Sequence, residues 1–315
     1  MSDKVLDLVI VGAGPAGLTA SIYAQRAMLD SVVLEQEAVG GQIMLTADVD
    51  NYPAVPHTSG FELADAMRGQ AEDLGAKIVS DQVSSITQDP ETKIFTVTTA
   101  EGTYKSKTVI LAGGATPRHA GFEGEEKLGG HGVSYCATCD GMFYRNKQVF
   151  VIGGGNSALE EALFLTRFAS KVTVIVRKDH VRAQAAVLKK IEENEKVEIR
   201  YMTSVVKLEG ETLPESITFR NNETGEETTE TYPAGSFGVF VFVGRVPATK
   251  LIEDMADLDE RGYAVADETG KTKTPGLFVA GDIREKKLRQ IVTATADGAN
   301  AATAAAEYLG QHIDS

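Results

Sequence analysis

Tryptophan is absent from the sequence, and cysteine occurs only twice among its 315 residues. No apolar stretch reaches the ~18 residues that a membrane-spanning helix needs, so we expect no membrane span. The first residues, Met1 to Lys4, are polar and lack the apolar core of a signal peptide. We therefore expect a cytoplasmic protein.

Basic side chains are also in short supply. Lysine and arginine total 31, against 45 aspartate and glutamate residues, which gives a net charge of −14. Nucleic acids and anionic membranes bind basic surfaces. This charge balance therefore argues against both as partners.

The two cysteines are close together, since Cys136 and Cys139 are separated by two residues and followed by Asp140. In a reducing cytoplasm such a pair is more often catalytic or metal-binding than structural. A closed zinc site needs four ligands and His131 is the only histidine nearby, so we expect no metal. A redox dithiol is favoured, with a structural disulfide as the alternative. A helix N-terminus would lower the pKa of one thiol, and Asp140 could give and take a proton.

The first glycine-rich motif follows a strand-like run, Val5 to Val11. Gly12 to Gly17 reads G-x-G-x-x-G and opens a helical pattern, Leu18 to Ala27. A second strand pattern, Ser31 to Leu34, ends at Glu35. Strand, glycines, helix, strand and acid together predict a dinucleotide site, with the pyrophosphate at the helix N-terminus and Glu35 on the ribose hydroxyls.

A second motif of this kind lies about a dozen residues after the cysteines. Gly153 to Ala158 reads G-x-G-x-x-A between a strand pattern, Gln148 to Ile152, and a helical pattern, Leu159 to Phe168. The next strand pattern, Lys171 to Val176, leads to a basic cluster of Arg177, Lys178 and Arg182. A carboxylate suits a free 2′-hydroxyl, whereas a guanidinium suits a 2′-phosphate. The second site is therefore predicted to bind NADP; a solvated basic cluster is the alternative.

Both motifs are followed by a similar order of strands, which ends in an apolar strand, glycine and proline. This degenerate duplication predicts two nucleotide-binding folds, and the chain is long enough for both. The strands are predicted at Lys93–Thr99, Thr103–Leu111, Val197–Leu208, Ile217–Arg220 and Phe237–Val243, and a polar hairpin tip at Asn221–Thr231.

The C-terminal part returns to the first fold. A short strand pattern, Gly276 to Ala280, places Asp282 at its carboxyl end, where open α/β sheets bind ligands. A turn or capping acid is the alternative for Asp282. Arg289 to Ile291 opens a helical pattern whose N-terminus can face an anion. Gly40 to Gln42 and Asn51 to Pro53 are predicted loops, where turn residues and cofactor contacts are equally compatible with the sequence.

These motifs together resemble the low-molecular-weight thioredoxin reductases of the flavoprotein disulfide reductase group. The resemblance covers essentially the whole chain, and its most specific feature is the cysteine pair inside the second nucleotide domain. It implies an α/β fold of two Rossmann-like (three-layer ββα) dinucleotide-binding domains, the second inserted into the first. Residues 1–116 and 246–315 would bind FAD, and residues 117–245 would bind NADPH and carry the cysteine pair.

The resemblance also implies a function, that of an NADPH-dependent thioredoxin-disulfide reductase. Electrons would pass from NADPH to FAD, to the Cys136–Cys139 disulfide and then to thioredoxin, with domain rotation between the half-reactions. A homodimer is implied as well. The catalytic residues would be Cys136, Cys139 and Asp140. The FAD contacts would be Gly12, Gly14, Pro15, Ala16, Gly17, Glu35, Gly41, Gln42, Asn51, Gly113, Asp282, Arg289, Gln290 and Ile291. The NADPH contacts would be Gly154, Asn156, Ser157, Ala158, Arg177, Lys178 and Arg182.

One departure from the family concerns the nicotinamide nucleotide. The family usually reads His-Arg-Arg where this chain has Val176-Arg177-Lys178. Lys178 keeps the charge but lacks the bidentate fork of arginine, which predicts weaker NADPH binding. The alternatives are a reductase of the same fold fed by ferredoxin or reduced flavin, an FAD-dependent dithiol oxidase, and a flavin-binding redox sensor.

Overall fold

The computed structural model describes residues 4–46 and 49–310. The chain divides into two compact units. The outer unit contains the chain up to Thr116 and from Val246 onwards, and the inserted unit is Pro117–Arg245. Within the described ranges, no helix is long and apolar enough to cross a membrane.

The outer unit begins with a β-α-β arrangement around the first glycine-rich motif. Val5–Val11 is a strand because its apolar second half, Leu8 to Val11, is buried between parallel neighbours. Pro15 at the first helical turn fixes the start of the next helix. The elements of this first part are β1 (Val5–Val11), α1 (Pro15–Arg26), β2 (Ser31–Glu35), α2 (Gly60–Asp73), β3 (Ile78–Ser80), β4 (Val83–Gln88), β5 (Phe95–Thr99), β6 (Thr103–Leu111) and β7 (Ala115–Pro117).

The inserted unit repeats this arrangement around the second glycine-rich motif. Its elements are β8 (Val133–Ser134), α3 (Ala137–Asp140), β9 (Gln148–Ile152), α4 (Asn156–Leu165), β10 (Lys171–Ile175), α5 (Ala185–Glu192), β11 (Val197–Arg200), β12 (Thr203–Glu209), β13 (Ser216–Asn221), β14 (Glu227–Thr231) and β15 (Phe237–Val241). The chain then returns to the outer unit through β16 (Arg245–Pro247), β17 (Leu277–Val279) and α6 (Ile291–Tyr308).

The outer sheet has seven strands in the order β3-β2-β1-β6-β5-β4, with β17 beside β6. Strands β1, β2, β3, β6 and β17 run parallel, whereas β4, β5 and β6 form an antiparallel meander. Helices α1 and α6 pack on one face, where Leu8, Ile10 and Leu18 are buried. A β-carbon at Gly298 of α6 would lie 2.1 Å from the Ala16 oxygen. The two helices therefore approach closely because α6 is built from alanine and glycine.

The inserted unit has a parallel sheet in the order β11-β10-β9-β15-β8 and a separate antiparallel sheet, β12-β13-β14. One face of the parallel sheet buries Leu159 and Leu165 of α4. The other face buries Phe150 and Phe237 against Phe219 of the antiparallel sheet. Each unit therefore has its own core, divided between the two faces of its sheet.

The two chain crossovers between the units pair with each other. β7 and β16 form a two-stranded sheet. The Arg118 amide donates to the Gly244 oxygen at 2.9 Å, and the Ala248 amide donates to the Gly114 oxygen at 3.0 Å. Both connections therefore run side by side.

The structure confirms both predicted β-α-β motifs and the predicted hairpin before Leu111. Three predictions of secondary structure were wrong. The strand predicted at 197–208 breaks where Met202 has a φ of 49°, so β11 and β12 join different sheets. The predicted polar tip at 221–231 contains β14, an exposed edge strand rich in threonine and glutamate. Residues Gly41–Leu45 form a 3₁₀ helix where a loop was predicted.

Candidate functional site

The first glycine motif forms a sharp turn between β1 and α1. Gly12 has a φ of +103°, and a β-carbon there would lie 2.5 Å from the Ala112 oxygen. A β-carbon at Gly17 would lie 1.8 Å from the Gly12 oxygen. Gly14 differs, because the nearest atom to its β-carbon position is the Gly40 oxygen at 3.9 Å. Gly12 and Gly17 are thus required by packing, whereas Gly14 faces open space that a pyrophosphate can occupy.

Glu35 lies at the carboxyl end of β2 and faces this turn. Its carboxylate accepts hydrogen bonds from the Ala13 amide at 2.6 Å and the Glu37 amide at 2.9 Å. The acid at the end of β2 is therefore held against the backbone of the glycine turn.

A cleft of about 430 Å³ opens beside Glu35 in the outer unit. Its lining includes the acids Glu37 and Asp65, and its Arg68 is paired with Glu72 at 2.9 Å. This acidic lining repels a 2′-phosphate and suits the free ribose hydroxyls of an ADP moiety.

The other residues predicted to contact FAD are distributed around the same edge of the outer sheet. Pro15, Ala16 and Gly17 begin α1, and the β-carbon position of Gly41 is 3.3 Å from the Gly14 α-carbon. The Gln42 side chain donates to the Ala115 oxygen at 2.6 Å. A β-carbon at Gly113 would lie 3.0 Å from the Ala248 β-carbon, so this glycine is explained by packing.

Residues from distant parts of the sequence meet at the N-terminus of α6. Gln290 is the residue that caps this helix and Ile291 is its first residue. The Asn51 side-chain nitrogen donates to the Gln290 side-chain oxygen at 2.9 Å. The Arg289 side chain lies 4.0 Å from the Tyr263 ring centroid and donates to the Asp282 backbone oxygen at 3.4 Å. The structure therefore brings Asn51, Asp282, Arg289 and Gln290 to one edge.

A buried charge cluster supports this edge and was missed by the sequence analysis. Asp297 of α6 accepts from Arg284 at 2.7 Å, from Lys286 at 2.6 Å and from the Gly281 amide at 3.0 Å. It fixes the segment that carries Asp282. An aspartate in the first half of the alanine-rich helix pattern was the available signal in the sequence.

The cysteine pair of the inserted unit forms a disulfide. Cys136 caps α3, and the Cys139 amide donates to the Cys136 sulfur at 3.2 Å. The Ser134 hydroxyl holds both backbone groups of Cys136, accepting from its amide at 3.1 Å and donating to its oxygen at 3.2 Å. Because α3 is a single turn, the Cys139 amide stabilises a Cys136 thiolate more directly than a helix dipole does.

Asp140 ends α3 and is partly buried. Burial raises the pKa of its carboxyl group above the usual range, and a hydrogen bond from Ser134 opposes part of this rise. Burial and the Asp140 charge together raise the pKa of Tyr144 to about 12. Asp140 is therefore a carboxyl group that retains a proton more readily than an exposed aspartate.

Three neighbours of the cysteine pair were also missed by the sequence analysis. The Tyr135 hydroxyl donates to the buried Glu125 at 2.8 Å, which anchors the residue before Cys136. Met142 and Phe143 follow Asp140 and are 51% and 46% exposed. Two successive large apolar residues beside the CxxC motif were visible in the sequence, but their exposure was not.

The second glycine motif resembles the first in geometry. A β-carbon at Gly153 would lie 2.5 Å from the Phe242 oxygen, whereas one at Gly155 would have no neighbour within 4 Å. The Gly154 oxygen accepts from the Arg182 amide at 2.6 Å. Ser157 is exposed and Ala158 is fully buried, so of these two only Ser157 can face a ligand.

The predicted basic residues of this site, Arg177, Lys178 and Arg182, have exposed side chains. All three lie on the segment between β10 and α5, and Arg182 is joined to the glycine motif through Gly154. The structure thus places the three cations on one short segment, beside the glycine motif.

Comparisons with known proteins agree with this geometry. The family model described as pyridine nucleotide-disulphide oxidoreductase matches residues 6–298. The thioredoxin reductase of Peptoclostridium litorale is 47% identical over 310 residues, covering 98% of both chains. That of Treponema pallidum is 45% identical over 305 residues, covering 96% of this chain and 97% of the relative.

A solved structure extends the match to three dimensions. The crystal structure of thioredoxin reductase from Streptococcus pyogenes has a TM-score of 0.91 and 40% identity, covering 98% of this chain and 99% of that one. The α/β fold with two Rossmann-like domains, predicted from the two glycine motifs, is thereby confirmed. The chain belongs to the pyridine nucleotide-disulphide oxidoreductase family, as a member of its low-molecular-weight thioredoxin reductase group.

Proposed function

We propose that the protein is an NADPH-dependent thioredoxin-disulfide reductase, in which electrons pass from NADPH through FAD to Cys136–Cys139 and on to thioredoxin. The observation that carries this proposal is the disulfide beside Asp140, in the same unit as a glycine motif with an open phosphate position. The names of the relatives support thioredoxin as the substrate.

The outer unit fits FAD. Gly14 leaves space for a pyrophosphate, and Glu35 stands in an acidic cleft that suits a ribose without a 2′-phosphate. Asn51, Asp282, Arg289 and Gln290 would hold the flavin end at the N-terminus of α6. Bound FAD would supply two-electron chemistry between a nicotinamide and a disulfide.

The inserted unit fits NADPH. In the second glycine motif, the open space beside Gly155 can take a phosphate, as the space beside Gly14 can in the first. Ser157 lies in the first turn of α4. Arg177, Lys178 and Arg182 would meet the 2′-phosphate, where charge-assisted hydrogen bonds are strong. Lys178 contributes a point charge without the fork of arginine, so we expect NADPH to bind more weakly than with arginine at this position.

The cysteine chemistry follows from the hydrogen bonds around Cys136. Once the disulfide is reduced, the Cys139 amide favours the thiolate at Cys136, which attacks one sulfur of the substrate disulfide. The Asp140 carboxylate can then take the proton of the Cys139 thiol, and the Cys139 thiolate attacks the Cys136 sulfur of the mixed disulfide. The bond between Cys136 and the substrate breaks, which restores the Cys136–Cys139 disulfide and releases the substrate as a dithiol. The leaving substrate sulfur needs a proton, and Asp140 can donate it.

The protein substrate would dock on the surface that carries the cysteines. Met142 and Phe143 present apolar area next to Asp140, which suits a protein partner better than a small dithiol.

We further propose that the protein is a cytoplasmic homodimer, and that within each chain the inserted unit rotates relative to the outer unit between the half-reactions. The family resemblance supports both.

Two other electron routes are weaker alternatives. A reductase fed by ferredoxin or reduced flavin remains compatible with Lys178 in place of arginine. A dithiol oxidase would have no use for the three cations between β10 and α5, so their presence favours NADPH.

An anaerobic titration tests the proposal directly. Addition of NADPH to the yellow, FAD-loaded protein should bleach the flavin absorbance, and oxidised thioredoxin should restore it. A Cys139→Ser variant is the control, since it should still bleach but not recover with thioredoxin. Protein that is not bleached by millimolar NADPH, or recovery without Cys139, would contradict the proposal.

The same titration tests the rotation. Protein crosslinked between the two units should keep either the bleaching or the recovery, and lose the other. Full turnover in the crosslinked protein would rule the rotation out.

A further inference from the structure

The three cations of the second nucleotide site lie on a segment without helix or strand. We call this segment, from Arg177 to Gln184, the basic segment; it joins β10 to α5. The side chains of Arg177, Lys178 and Arg182 are exposed and receive no support from the core. Their positions therefore depend on how the backbone of the basic segment is held.

Two residues inside the basic segment are held by hydrogen bonds to the backbone of other segments; we call such bonds backbone anchors. The Met202 amide donates to the Lys178 oxygen at 3.0 Å. The Arg182 amide donates to the Gly154 oxygen at 2.6 Å. These bonds fix the basic segment to Met202 at Lys178 and to the second glycine motif at Arg182.

The two ends of the basic segment are held by asparagine side chains. The Asn222 side-chain nitrogen donates to the Arg177 oxygen at 2.9 Å. The Asn156 side-chain oxygen accepts from the Gln184 amide at 2.7 Å. The backbone of Arg177 is thus held by an asparagine side chain, and the backbones of Lys178 and Arg182 are held by the two backbone bonds.

Asn222 reaches the segment from a different sheet. It follows β13, and its side chain also donates to the Ser204 hydroxyl of β12 at 3.0 Å. Its amide donates to the Met202 oxygen at 2.7 Å. Asn222 therefore ties the basic segment to the β12-β13-β14 sheet, which carries none of the residues predicted to contact NADPH.

Asn156 belongs to the glycine motif and was predicted to contact the cofactor. Its side-chain oxygen is instead engaged by the Gln184 amide. The structure favours a positioning role for this oxygen, since a phosphate offers no donor to an amide oxygen.

We infer that Asn222 and Asn156 are positioning residues that clamp the two ends of the basic segment and so set the preference for a 2′-phosphorylated nucleotide. The inference rests on the proposed use of NADPH. Cations held in place lose less conformational entropy when they bind a phosphate. The adenine, ribose and 5′-phosphate contacts do not depend on the clamp, so its loss changes the ratio of affinities for nucleotides with and without the 2′-phosphate.

Calorimetric titration of the flavin-loaded full chain with 2′,5′-ADP and with 5′-AMP measures this ratio. Asn222→Ala should lower the preference for 2′,5′-ADP by roughly threefold to tenfold, the effect of one net hydrogen bond. Thr224→Ala is the matched control. This variant truncates a side chain in the same turn as Asn222. Within the described residues the Thr224 hydroxyl accepts a hydrogen bond only from the Glu226 amide, so the variant should keep the wild-type ratio.

A second pair of variants tests the other end of the segment. Asn156→Ala should lower the ratio to a similar extent, whereas Asn156→Gln keeps an uncharged amide oxygen as acceptor for the Gln184 amide and should retain more of it. This pair decides the outcome if thermal melting shows that Asn222→Ala does not fold. An unchanged ratio in Asn156→Ala, or equal weakening of both ligands, overturns the inference. A wild-type protein that does not prefer 2′,5′-ADP contradicts the proposed use of NADPH instead.

Discussion

At the scale of single residues, Asp140 shows how burial changes the acidity of a side chain. Its carboxyl pKa lies above the ordinary range because the residue is partly buried at the end of α3. A raised pKa keeps the proton at pH values where an exposed aspartate has lost it. Proton donation from Asp140 should therefore be available at low pH and decline as the pH rises through this elevated pKa.

Replacing Asp140 tests this role. Asp140→Asn should slow thioredoxin reduction on the order of a hundredfold, because the departing sulfur loses its proton donor. The variant should also lose the decline in rate towards high pH. Stopped-flow measurement of dithiol oxidation across the pH range gives both results.

Thr138→Ala provides the control for Asp140→Asn. Thr138 is exposed on the same turn, so its loss should leave the rate and the pH profile unchanged. An Asp140→Asn variant with the wild-type rate and pH profile would show that the proton comes from elsewhere.

At the scale of secondary-structure elements, the turn between β1 and α1 separates two uses of glycine. Gly17 and Gly12 are needed because backbone atoms lie within 1.8 Å and 2.5 Å of their β-carbon positions. Gly14 has extended backbone angles and open space beside it. Packing thus requires Gly12 and Gly17, whereas the space beside Gly14 is left for a ligand.

A pair of alanine variants separates these two uses. Gly14→Ala should leave the melting temperature of the flavin-free protein nearly unchanged, yet strongly weaken FAD binding because the methyl group fills the phosphate position. Gly17→Ala should lower the stability of the flavin-free protein by about 1–3 kcal/mol, since α1 must shift away from β1. Thermal melting and flavin fluorescence measure the two effects. Wild-type flavin affinity in Gly14→Ala would place the pyrophosphate elsewhere.

At the scale of the whole molecule, the inserted unit is one continuous stretch of chain. It contains a parallel sheet, an antiparallel sheet and two core clusters of its own. The outer unit, in contrast, needs both ends of the chain, since β17 pairs with β6 and α6 packs on α1. Compact units with separate cores often fold independently.

Expression of residues 117–245 alone tests this independence. The fragment should unfold cooperatively, form its disulfide and bind 2′,5′-ADP, but bind no flavin. A shorter fragment, 117–200, lacks β15, which lies between β9 and β8, and should not fold. Failure of the longer fragment to fold would mean that the inserted unit depends on the outer one.

The sequence by itself determined the two glycine motifs, the strands that precede them and the close cysteine pair. Such features are local, since strand, turn and helix signals lie within about 30 consecutive residues. The contrast between Glu35 and Arg177 is equally local, because Glu35 ends the second strand of its motif and Arg177 lies two residues after the end of the corresponding strand.

Only the tertiary structure decided what holds these local features in place. The contact of Asn51 with Gln290 spans 239 residues, and the bond from Asn222 to Arg177 spans 45. No periodicity encodes such pairs, because their spacing depends on how the sheets assemble. The raised pKa of Asp140 and the exposure of Met142 likewise depend on which residues the folded chain covers and which it leaves uncovered. A linear pattern does not contain this information.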